Sequence, residues 1–217
     1  MLGLGLYLVL DDITVYPCDS KPYGRSYIQW STLWWQWLLS IPKRTSPAID
    51  FTGQYGSLNQ SDPNVFFLCQ TFENPDSMPI RKIVVPSGKA IFMPIINWIS
   101  VTPDDGTNDM ELQDTAKRKI DTVFVQELQI SVDHRRIGGF QDYRVSSFPF
   151  EVCLPDDNLL NLKKGPTRCV SDGYWILFEL PNRSHVISSY GCCSLGVTKI
   201  GISYALDFHE KDVLNQL

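Results

Sequence analysis

Y-W-I-L-F-E-L (174–180), P-N-R (181–183), S-H-V-I-S-S-Y (184–190) and K-I-G-I-S-Y-A-L (199–206) read as strands separated by turns. In the last of them Ile200, Ile202, Tyr204 and Leu206 alternate with Lys199, Gly201, Ser203 and Ala205. That period of two is the mark of a half-buried strand. The turn residues Pro181–Asn182–Arg183 predict tight, antiparallel connections for 174–180, 184–190 and 199–206.

Working upstream, the same signals recur. Leu128, Ile130 and Val132 alternate with Gln129 and Ser131, and turns follow at Asp133–His134 and Gly138–Gly139. Tyr143–Ser147 and Phe150–Leu154 read as strands, and Asn64–Thr71 is an apolar run typical of a buried one. Arg81–Val85 and Lys89–Ile96 flank Pro86–Ser87–Gly88, a hairpin-like turn, and Pro94 predicts an edge position or a bulge.

Two segments break the β pattern. Tyr27, Trp30, Trp34, Trp37, Leu38 and Ile41 recur at steps of three and four, predicting a helix over about 26–40. Ser26 is its N-cap and Pro42 its stop. Aromatics at helical spacing are core residues first. Trp35 lies about 100° around the helix from its neighbours, so it is the tryptophan expected to touch solvent, a ligand or a second chain. A second helix is expected over about 109–122, with Asn108 and Glu111 as a capping pair and Leu112, Ala116, Ile120 and Val123 on one face.

Composition narrows the function. The 217 residues carry a formal net charge of −5, and the basic clusters such as Lys117–Arg118–Lys119 are short. Phosphate neutralisation supplies most nucleic-acid affinity, so nucleic acid is disfavoured as a partner. No apolar run reaches the roughly 20 residues of a membrane helix, so no integral membrane segment is expected. The apolar opening Met1–Leu10 lacks a basic n-region and a cleavage site. It reads as a first strand or a mis-assigned start of a cytoplasmic protein, or alternatively as a truncated signal peptide of a secreted one. Six cysteines stand without a C-x-x-C, and free, mostly buried thiols are expected.

The segment W-S-T-L-W-W-Q-W-L-L-S-I-P (30–42) resembles a family of uncharacterised proteins from archaea and bacteria. D-P-N-V-F-F-L (62–68), P-S-G-K-A-I-F-M-P-I-I-N (86–97) and S-D-G-Y-W-I (171–176) extend the resemblance. It implies no activity, cofactor or site residue. It does imply glycine in the turn after strand 128–133, where this chain has His134.

Candidate chemistry is sparse. His134, His185 and His209 are dispersed without zinc spacing, so no metal is assigned. The loop 103–109 gathers acids but lacks the fixed ligand offsets of a calcium loop. Carboxylates before a helix also complement its dipole. Cys192 and Cys193 lie in a Gly-flanked loop with no nearby Lys, Arg or His beyond Lys199, and nucleophile and phosphate-cradle motifs are absent. Asp172, within Ser171–Asp172–Gly173, reads as a turn residue first and an acid second.

The resulting expectation is a mainly β chain, a single domain over 1–217. It is an antiparallel, jelly-roll-like β-sandwich with two helices packed on it. Its expected function is non-catalytic binding of a carbohydrate or protein ligand without a cofactor, with Trp35 and Asp172 as candidate ligand-binding residues. The alternative is a small hydrolase whose dispersed acidic and His residues converge in the fold. A third is a structural protein of an envelope or assembly.

Overall fold

Strands buried on both faces and strands with one wet face need different layers, and that requirement organises this molecule. The computed structural model describes residues 8–10, 12–72, 79–193 and 198–209; residues 1–7 of the apolar opening lie outside these. The described strands are β1 (Leu8–Leu10), β2 (Ile13–Val15), β3 (Val65–Phe67), β4 (Ile80–Pro86), β5 (Ala90–Val101), β6 (Gln129–Val132), β7 (Arg135–Ile137), β8 (Arg144–Ser146), β9 (Phe150–Leu154), β10 (Gly165–Glu179), β11 (His185–Cys193) and β12 (Thr198–His209). The helices are α1 (Tyr27–Ser40) and α2 (Asp109–Ile120).

One sheet of seven strands runs β1-β2-β10-β5-β3, with β8 and β9 also on β10; the other runs β4-β12-β11-β6-β7. The mainly β reading with two packed helices therefore holds, as do the positions of both helices. Two pairings are parallel, β3 with β5 and β4 with β12, so the sheets are mixed where antiparallel ones were expected. Neither strand order establishes jelly-roll connectivity.

Both expected hairpins are crossovers instead. β4 and β5 flank Pro86–Ser87–Gly88 but belong to different sheets, and so do β10 and β11 on either side of Pro181–Arg183. β4 alternates exposed and buried residues, whereas β5 and β10 are buried on both faces for most of their length. A turn signal marks where the chain reverses, not which strand becomes the neighbour. The antiparallel pairing of 184–190 with 199–206 holds as β11 with β12.

Two main apolar layers result. Ile91, Met93, Ile176 and Phe178 meet Ile83, Ile187, Ile202 and Tyr204 between the sheets. On the far face of the seven-stranded sheet, α1 lays Trp30, Trp34 and Leu38 over Phe92, Trp175 and Leu177. Ser26 caps α1 through the Gln29 amide and receives the Gln29 side chain in return, a reciprocal capping box. Among the described residues no helix is long and apolar enough to cross a membrane.

The β6–β7 turn has φ of 50° at Asp133 and 67° at His134, the left-handed conformation of a type I′ hairpin. Asp133 accepts from the Val186 amide at 2.9 Å and the Arg183 guanidinium at 2.8 Å, and its other contact is His185 Nδ1 at 2.8 Å. Partial burial would raise this carboxyl group, but those hydrogen bonds outweigh it and hold the group at about 2, below the ordinary 3.8. A carboxyl depressed in the folded state stabilises fully above its unfolded value and loses that contribution as pH falls through the folded one. Asp133→Asn keeps the turn geometry and removes the charge. The stability advantage of the native protein over this variant, measured by urea unfolding, is expected in full at pH 6 and mostly lost by pH 2. An advantage unchanged between the two would refute the assignment.

Candidate functional site

Pro94 and Ile95 set up the site. β5 and β10 pair with a register shift at this point, Tyr174 opposite Ile96 and Trp175 opposite Pro94, so Ile95 is the extra residue of a bulge. The bulge expected at Pro94 is thus present, within a strand that has β10 on one side and the short β3 on the other. β3 covers only Ala90–Phe92, and Leu68 N–H reaches Phe92 O at 3.1 Å. Beyond that, the Gln70 side chain stands in for a strand. Its Nε2 donates to Ile95 O, with Pro94 O at 3.4 Å and Ser189 Oγ at 3.2 Å. Two carbonyls can only accept, so the amide orientation is determined and Oε1 points the other way.

The chain then leaves the β5 edge: Phe72 N–H bonds Ala48 O at 3.0 Å. Between this departing segment, β5 and α1 lies a cleft of about 420 Å³. Asn97, Trp98, Ile99 and Val101 line one wall, Trp34 and Trp35 another, with Leu160, Leu162 and Ile200 closing it. Three consecutive β5 residues share this wall although neighbours on a strand point to opposite faces, so the cleft lies along the strand's edge. Asp104 and Asp105 mark one end of it.

Three of the lining residues hold a buried polar atom. Trp35 Nε1, Gln70 Oε1 and Asn97 Nδ2 are buried without a hydrogen-bond partner among the described residues. By contrast the indole N–H groups of Trp30, Trp34 and Trp37 each find a backbone carbonyl, those of Pro22, Leu68 and Leu58. An unpaired buried polar group costs about 1–3 kcal/mol. Aromatic walls with a few convergent polar groups are what small ligand sites are made of. A larger recess, of about 610 Å³, lies beside Arg25 and Asp62, but those two charges already pair at 2.8 Å.

Trp35 is the tryptophan of α1 expected to touch solvent, a ligand or a second chain, and the structure shields it from solvent. It is 2% exposed, packed edge-on against Trp34 at 4.8 Å and against Phe72 at 6.3 Å. The helix lies in a layer with neighbours on more than one side, so leaving the main stripe did not place Trp35 in solvent. It nevertheless reaches the cleft.

Asp172 is a different case. It sits in the middle of β10, not in a turn, and is 2% exposed. Arg144 grips it with Nε at 3.0 Å and Nη2 at 2.8 Å while reaching Asp121 at 2.7 Å. Burial pushes the Asp172 carboxyl up despite that guanidinium. It does not line the cleft; its register neighbour Trp98 does. Lys119 lies over the Trp98 ring at 4.6 Å.

The remaining candidates are also placed. Asp109 pairs with Arg168 at 2.8 Å, and Asp105 accepts the Val101 amide at 3.0 Å, so both acids are engaged by the protein. His185 is buried between Asp133 and Pro181 O. His134 is in the β6–β7 turn, and the side chain of His209 lies outside the described residues. Cys192 and Cys193 end strand β11 and are not in a loop. Cys18, Cys69, Cys153, Cys169 and Cys193 carry free thiols, and burial pushes those of Cys18 and Cys169 up to about 12. Thiolate nucleophiles need the opposite shift.

Gln70 and Asn97 escaped the sequence reading because amides carry no charge and no motif marks them. The one signal was Pro94, whose break in the ladder requires another group at the strand edge. Comparison of the chain with protein families, with characterised proteins and with solved structures finds no match.

Proposed function

We propose that the protein is a non-catalytic binding protein whose ligand, a carbohydrate or a protein segment, enters the cleft between α1 and the edge of β5. The observation that carries this is a cleft walled by aromatic rings, two of whose lining residues, Trp35 and Gln70, hold a buried polar atom, Nε1 and Oε1, without a partner among the described residues. A ligand supplying one acceptor and one donor would satisfy both, and the surrounding aromatic rings would bury its apolar surface. The hydrolase alternative needs a free acid and base facing each other. The acids beside the cleft are Asp104 and Asp105, and the second is tied to the Val101 amide.

Trp35→Phe tests the reading, since it keeps a ring against Trp34 and Phe72 and removes only the donor edge. Tryptophan fluorescence titrations with a panel of oligosaccharides and with displayed octapeptides are expected to find a ligand for the native protein. The variant should bind it about tenfold more weakly, the worth of one good buried hydrogen bond. Equal affinity for the two proteins would exclude Trp35 from the site.

A further inference from the structure

The backbone of β5 says which of the two ligand classes the cleft takes. Val101 turns both its N–H and its C=O away from β10: the Asp105 carboxylate accepts the first at 3.0 Å and the Asp105 amide donates to the second at 2.9 Å. The next residue, Thr102, turns inward and donates to Arg168 O at 3.0 Å. Because consecutive strand residues alternate in hydrogen-bonding direction, Ile99 and Asn97 face outward like Val101. Their N–H and C=O groups thus lie along the cleft, and among the described residues nothing pairs with them.

This open window has defined ends. Gln70 closes it at Pro94–Ile95, and Asp105 closes it at Val101. What remains spans Asn97–Ile99, roughly 10 Å at the usual rise per residue. We infer that the cleft binds an extended peptide segment, which adds to the β5 edge as a short strand and exchanges backbone hydrogen bonds with Asn97 and Ile99. This rests on the binding role proposed for the cleft and narrows it.

Alternate side chains of such a strand point to opposite faces. One set meets Trp34, Trp35 and Leu162, and the other meets Trp98 and Ile200, so apolar residues fit both. The exposed carboxylate of Asp104 at the Val101 end favours a basic residue there. A sugar presents hydroxyls around a ring and has no row of alternating donors and acceptors at strand spacing. Strand addition takes its affinity from main-chain bonds and its specificity from the flanking pockets.

The test uses the full chain, a phage-displayed random octapeptide library, and synthetic peptides from the selected sequences. The expected result is a peptide that slows amide exchange at Asn97 and Ile99, leaves Val101 unchanged, and weakens at least tenfold when one pairing amide is N-methylated. Amides of Asn97 and Ile99 already protected in the free protein would overturn the inference, whether a second copy or the chain itself covers the edge. So would peptide binding indifferent to N-methylation. Saccharides that perturb Trp35 and Trp98 where no peptide does would overturn the peptide assignment and leave the binding role standing. If neither class perturbs the cleft, the binding role fails too.

Discussion

Trp34→Ala is expected to destabilise the protein by about 4–5 kcal/mol, the upper part of the range for deleting a large buried aromatic. Trp34 sits at the centre of the layer between α1 and the seven-stranded sheet. Its ring meets Trp35 at 4.8 Å, Trp175 at 5.2 Å and Trp37 at 6.0 Å, and its Nε1 donates to Leu68 O at 2.8 Å. Substitution opens a cavity among rigid rings that cannot collapse into it, and it strands a buried carbonyl. Against a total stability of roughly 5–15 kcal/mol, most of the folded population's margin disappears. Urea unfolding measures the difference, and a loss below 1 kcal/mol would show that the tryptophan layer is not a packed core. Trp30, equally buried and with its N–H on Pro22 O, should behave similarly.

Arg81→Met is expected to cost about 3 kcal/mol, for a different reason. Arg81 is 1% exposed on β4, pointing inward. Nε donates to Asp50 O at 2.6 Å and Nη1 to Cys69 O at 2.6 Å, which ties the loop before β3 and the segment after it to the five-stranded sheet. Tyr204 on β12 joins through its hydroxyl, which lies 3.2 Å from Nη1 and itself donates to Cys69 O. Hydrogen bonds from a charged group contribute about 1.5–3 kcal/mol each. Relief of the buried charge, whose Nη2 lacks a partner among the described residues, offsets part of the loss. Arg81→Lys should not restore stability, because a single ammonium cannot reproduce the planar fork that spans both carbonyls. A Met variant as stable as the native chain would mean the cation is a burden the fold tolerates, not a clasp.

Arg81 also shows what sequence reading misses. It stands in the run I-R-K-I-V-V-P, where alternation with Lys82 places one of two adjacent cations inside, and nothing local says which has carbonyls waiting. The same limit applies to Asp172, whose Ser and Gly neighbours suggest a turn while Arg144, from a distant strand, holds it within β10. For Trp35 the helical wheel says only that the residue leaves the main stripe. It could not supply Phe72, which covers the ring.

What the sequence determined by itself is the set of elements and the faces they must bury. The Ser26 cap and Pro42 bracket α1, the spacing of its tryptophans marks a buried stripe, and the alternation at 199–206 marks β12. These follow from local periodicity and backbone preference, which act within a few residues. Only the tertiary structure decided that β4 and β5 part into different sheets, that β12 and β4 run parallel, and that among the described residues no strand pairs with the outer edge of β5 at Asn97–Ile99 and the Trp35 N–H has no partner. Those outcomes depend on which distant surfaces share a core, and burial of apolar area is non-directional, so no local pattern encodes the partner.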